Sequence, residues 1–99
     1  MEIRIQSIHF TADQKLLDYV EKKLGKLEQF YDRIIDVDVY LKFDSSHGQI
    51  KEKSANLRMR VPGSTLDAEA HSSTFEMAVD DAVESLKRQL IKHKSKYQK

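Results

Sequence analysis

Residues 2–9 alternate, with Ile3 and Ile5 on one face and Arg4 and Gln6 on the other, which is the period of a strand. The period then lengthens. Leu16, Leu17, Val20, Leu24, Leu27 and Tyr31 recur at helical spacing behind a Thr11-x-x-Gln14 capping box, which predicts a helix over about 12–30. In 34–43, Val37, Val39, Leu41 and Phe43 face one way and Asp36, Asp38, Tyr40 and Lys42 the other, a strand with one wet face. DSSHGQ (44–49) has the composition of a loop. Ala55, Leu57, Met59 and Val61 then alternate with polar residues, and past the Pro62-Gly63 turn signal so do Leu66, Ala68 and Ala70. A hairpin centred on that turn pairs Met59 with Leu66, Leu57 with Ala68 and Ala55 with Ala70, and on its other face Arg58 with Asp67. One register that satisfies both faces supports the pairing. Ser73-x-x-Glu76 is a second capping box, opening a long helix with the stripe Phe75, Val79, Ala82, Val83, Leu86, Leu90 and Tyr97.

The order strand, helix, three strands, helix predicts an α+β fold. The expected form is a β-α-β-β-β-α two-layer sandwich, a four-stranded sheet with two helices packed on one face. Residues 1–99 read as a single domain. A second helix of about 24 residues would span ~36 Å. It should run to or past the sheet edge and present its last turns to a partner.

Composition changes this picture in one respect. The 99 residues are 39% apolar and 33% charged, with no cysteine and a formal net charge of +1. Without cysteine there is no disulfide or thiolate metal site, which fits a reducing cytoplasm. No apolar run approaches the ~18 residues of a membrane span, and the alternating N-terminus is no signal peptide. The net charge conceals an asymmetry. Residues 1–85 hold all 16 acids and 11 of the bases, whereas 86–99 (LKRQLIKHKSKYQK) hold six bases and no acid. A basic end on an acidic domain points to an anionic partner.

Helical geometry locates these charges. At ~100° per residue, with Val79 as zero, Arg88, Lys92 and Lys99 fall near ~180–220°, opposite the apolar stripe, with Lys96 beside them. Lys87 and Lys94 lie on another flank. In the first helix Lys15, Lys22, Lys26 and Lys23 take one flank, and Asp18, Glu21 and Glu28 the other. With the helices side by side, the basic flank of the first can border the ridge of the second, forming a continuous positive groove. Such a groove is the electrostatic footprint of a nucleic-acid binder. A solvated face and the macrodipole would explain Glu76, Asp80 and Asp81 ahead of a basic end, but the dipole acts over about one turn. Six bases without an acid exceed it. A membrane-surface helix is disfavoured, because the apolar stripe is needed for the core.

Other chemistry finds little support. Tyr40 on the wet face is one aromatic where base stacking on a sheet needs two or three. Phe30 and Tyr31 read as packing at the end of the first helix. His9, His47, His71 and His93 lack metal-ligand spacing, and no phosphate loop or nucleophile elbow occurs. The carboxylate pairs Asp36/Asp38 and Asp80-Asp81 lack a pocket partner. No catalytic residue, metal, cofactor or small-molecule substrate is implied.

GKLEQFYDRI (25–34) and LKRQLIKHKSK (86–96) resemble two signatures of the ribosome hibernation promoting factor family, also called ribosome-associated inhibitor or protein Y, with an older label as sigma-factor modulation protein. VDVYLKF and STFEMAVDDAVESL also fit, so the resemblance covers essentially the whole chain. It implies binding to the small ribosomal subunit in the mRNA and tRNA channel near the decoding region, through basic helix residues on ribosomal RNA. Translation would be inhibited and idle ribosomes preserved under stress or in stationary phase. Lys23 and Lys26 match basic positions of the first motif, Arg88 the Arg of the second, and Lys92, Lys94 and Lys96 its basic tail. Lys22 joins the patch by charge only. Many relatives carry Lys where this chain has Ser85, and Lys87 offers a partial replacement. Relatives often have glycine where this chain has Ser72-Ser73. The length resembles the short form, without the C-terminal domain that dimerises ribosomes in long members, and some short forms act with a separate small ribosome modulation factor. Two other readings remain: a generic double-stranded RNA binder, and a protein-binding regulator of transcription whose basic tail docks on an acidic partner.

Overall fold

The computed structural model describes residues 1–44 and 52–97. Its elements are β1 (Glu2–Ile8), α1 (Gln14–Phe30), β2 (Asp36–Asp44), β3 (Glu52–Val61), β4 (Ser64–Ser72) and α2 (Phe75–Tyr97). The strands form one mixed sheet in the order β1-β2-β3-β4, with β1 parallel to β2 and the other pairs antiparallel. The parallel pair needs a crossover, and α1 supplies it. The hairpin register is the one read from the sequence, including Met59 with Leu66 and Arg58 with Asp67. Gly63 has φ +81°, which the third position of a type II turn demands and a side chain would resist. The expected loop at 44–49 lies outside the described residues from 45 onward, as do Lys99 and the side chain of Tyr97.

Both helices pack on the apolar face of the sheet. Val37, Val39, Leu41, Ala55, Leu57 and Met59 are fully buried there beneath Val20, Leu24, Val79, Leu86 and Leu90. Phe43 departs from its expected place in the core. It is 46% exposed at the end of β2, where its ring meets Phe10 at 5.1 Å and Phe75 at 5.3 Å. The helix starts also differ from expectation. The α1 cap is Asp13, whose carboxylate accepts from the Leu16 amide at 2.9 Å, and the α2 cap is Thr74, whose hydroxyl accepts from the Met77 amide at 3.1 Å. Thr11 and Ser73 begin the two boxes in sequence, but a competent cap stands nearer each helix, and the nearer one serves.

The other sheet face is laced by ion pairs. Arg4 on β1 reaches Asp38 at 2.6 Å and Asp36 at 2.9 Å on β2, and Arg60 on β3 also donates to Asp36. Asp36 was expected on a wet face, yet it is buried, because two guanidinium groups close over it. Arg60 and then Arg4 hold its carboxyl below the usual carboxylate range, and Arg4 does the same for Asp38.

Two outcomes are expected. Gly25 lies inside α1 with nothing within 4 Å of where a Cβ would stand. Gly25→Ala should therefore raise stability in urea by about 0.5–1 kcal/mol. The lowered carboxyls contribute stability that is complete above the unfolded pKa near ~3.9 and is lost as pH falls through the folded values. Asp36→Asn should lower Tm at pH 7 and flatten the fall in Tm below about pH 4. An unaltered acid profile in thermal melts would contradict this role.

Candidate nucleic-acid interface

The chain direction fixes how α1 and α2 meet. Tyr19 and Lys23 of α1 touch Asp80 of α2, Phe30 touches Lys87 and Lys94, and the Tyr31 ring meets His93 at 6.0 Å. Contacts rise in number together along both helices, so the two run parallel and their C-terminal ends lie side by side. Between them runs a groove of about 390 Å³, floored by Leu27 and Val83 and lined by Lys23, Lys26, Phe30, Asp80, Glu84 and Lys87.

The structure gathers the basic residues, though not as the sequence arranged them. Lys87 and Lys94 face α1; the ridge of Arg88 and Lys92 does not. The reason is the roll of α2. Its buried residues Val79, Leu86 and Leu90 centre the stripe, so the α1 side is taken by residues some ~60–140° round from it. Those residues include Asp80 and Glu84 as well as Lys87 and Lys94, and the groove is not continuously positive. Its first half is mixed and its second half basic. Arg88 and Lys92 point outward beside it, and Lys22 and Lys26 are likewise exposed on α1. Lys96 is exposed on the last turn of α2.

Lys23 is engaged within the protein. Its ammonium lies 3.3 Å from Asp80 and 5.5 Å from the Tyr19 ring centre, and the Tyr19 hydroxyl donates to the same carboxylate at 2.6 Å. Asp80 raises the pKa of both Lys23 and Tyr19. Lys22, Lys26, Arg88 and Lys92 show no ion pair among the described residues. They are the cations available to an anionic surface.

Three further placements depart from the sequence reading. His93 is buried and extends the apolar stripe beyond Leu90, anchoring the basic end of α2 on Tyr31. Its position three residues after Leu90 carried that signal. Phe30 is half-buried and works as more than packing, with the Lys87 and Lys94 ammonium groups 5.7 and 5.1 Å from its ring centre. Ser85 turns toward β4, where it and the Asp67 carbonyl accept from the Gln89 side chain at 3.3 and 2.8 Å. Lys87 lies roughly ~160° away round the helix and cannot occupy that place.

A sequence profile of the family described as sigma 54 modulation protein / S30EA ribosomal protein matches residues 3–98. The chain belongs to this family. It is 32% identical over 98 residues to a ribosome hibernation promoting factor of Pseudomonas putida, covering 99% of this chain and 91% of that one. The factor of that name in Escherichia coli K12 is also 32% identical, over 97% of this chain and 96% of its own. A Bacillus subtilis ribosome hibernation promotion factor is 34% identical over 97% of this chain, which spans 50% of that longer protein. A ribosomal subunit interface protein from Coxiella burnetii superposes with a TM-score of 0.85 at 25% identity, over 96% of this chain and 99% of that one. The N-terminal domain of Thermus thermophilus Protein Y shares the fold, with a TM-score of 0.81 at 24% identity, over 94% and 99% of the chains. These are ribosome-associated factors, not enzymes. No helix among the described residues is long and apolar enough to cross a membrane.

Proposed function

We propose that this chain is a ribosome hibernation factor that docks on ribosomal RNA of the small subunit. It does so through the C-terminal halves of α1 and α2, in the channel that mRNA and tRNA otherwise occupy near the decoding region. Bound there, its bulk excludes both and holds idle ribosomes inactive under stress or in stationary phase. The observation that carries this reading is the placement of outward cations on two adjacent parallel helices, in a chain that aligns along nearly its whole length with hibernation factors. Lys22, Lys26, Arg88, Lys92 and Lys96 neutralise phosphates directly. Lys87 and Lys94 do so from the groove edge, and Lys23 with Asp80 fixes the spacing of the helices. Phosphate contacts position the domain without a base code.

Co-sedimentation with purified small subunits over a salt series is the test. Log affinity should fall with log salt at a slope of about −5 to −6 for some seven phosphate contacts. Absence of binding at low salt would overturn the reading. Arg88→Glu with Lys92→Glu should weaken binding at least about a hundredfold and make the slope shallower by about two. Both side chains are exposed, so Tm should move by less than about 4 °C. Competition with naked duplex RNA separates this reading from generic duplex binding. The duplex should compete poorly.

A further inference from the structure

We propose that Phe30 is a stacking platform for an unpaired RNA base, with Lys87 and Lys94 as its movable cover; this rests on the ribosomal RNA reading above. Three depressions meet at this one ring. One is the groove between the helices, another is a shallow apolar hollow with Ile91 and Lys94, and the last is a polar recess with Asp32 and Arg33 at the end of α1. No other side chain lines all three. Phe30 is half-buried and packed against the core, and it borders all three openings.

Lys87 and Lys94 occupy positions over that ring, 5.7 and 5.1 Å from its centre. A cation–π contact at a solvent-exposed site is weak, and a lysine stem is flexible. A phosphate is the stronger partner for either ammonium. When a nucleic-acid backbone approaches the basic ends of the helices, both lysines can swing to phosphates and leave the ring to a base, which has a π-face whatever its identity. The neighbouring hollow is apolar through Ile91, 49% exposed, and suits the edge of a stacked purine or pyrimidine. On the groove side Glu84 offers an acceptor for an exocyclic amino group. The ligand is therefore a nucleotide splayed from a single-stranded or bulged segment. A paired base inside a duplex does not present its face.

Phe30→Leu keeps an apolar side chain and removes the π-face, whereas Phe30→Tyr keeps the ring. Against purified small subunits, Phe30→Leu should bind about five- to a hundredfold more weakly at every salt concentration, with the salt slope unchanged. Phe30→Tyr should bind within about twofold of the unaltered protein. Wild-type affinity in Phe30→Leu would overturn the platform while leaving the ribosomal reading intact. No binding by the unaltered chain would overturn both. A photoreactive p-azidophenylalanine introduced at Phe30 gives a second measurement that does not depend on the folding of the Leu variant. It should cross-link to a nucleotide of small-subunit RNA, and cross-linking to ribosomal proteins alone would contradict the proposal.

Discussion

The structure depends on one constraint, the parallel run of its two helices. β1 and β2 are parallel, so the intervening α1 must run opposite to both. Two antiparallel steps then bring β4 back to the direction of β2, and α2 leaves β4 in the direction of α1. Topology alone therefore puts both C-terminal ends at one end of the helical layer. Each such end carries about half a negative charge from its unsatisfied carbonyls. Side by side, the two repel. No basic residue stands in the last turn of α1, and Lys94 from α2 lies beside the end of α1 instead. Lys94 and Lys96 fill the same role for the last turn of α2. The acid-free stretch that sets the sequence apart is also what the parallel pair requires. Its cations exceed that need, and the surplus faces solvent.

The domain uses positive charge in two ways. On the open sheet face Arg4, Arg58 and Arg60 each hold a carboxylate of a neighbouring strand, so they stitch strands together and offer little net field. On the helical face Lys22, Lys26, Arg88 and Lys92 have no such partner among the described residues. In the proposed docking, polyanion binding belongs to the second group. The near-neutral total of +1 is the sum of −5 over residues 1–85, where 11 bases meet 16 acids, and +6 over residues 86–99, so it hides a basic end.

Element order and hairpin register were legible in the sequence because they follow from periods of 2 and 3.6 that tertiary packing did not override. Helix starts were less so. Asp13 and Thr74 compete with Thr11 and Ser73 on equal chemical terms, and only geometry decides between them. The site was legible in its inventory but not in its arrangement. Placing Lys87 rather than Arg88 at the groove requires knowing which side of α2 meets α1, and the periodicity of α2 alone does not say. The burial of His93 and the cover of Phe30 depend on both helices together, and neither helix shows it alone.

The central claim is that the basic C-terminal halves of α1 and α2 are the face that meets the ribosome. Lysine acetylation footprinting by mass spectrometry tests it residue by residue, comparing free protein with protein bound to small subunits. Lys22, Lys26, Lys87, Lys92, Lys94 and Lys96 should lose reactivity on binding, while Lys42 and Lys53 on the strands keep theirs. Protection of Lys42 and Lys53 with the helical lysines still reactive would contradict the account.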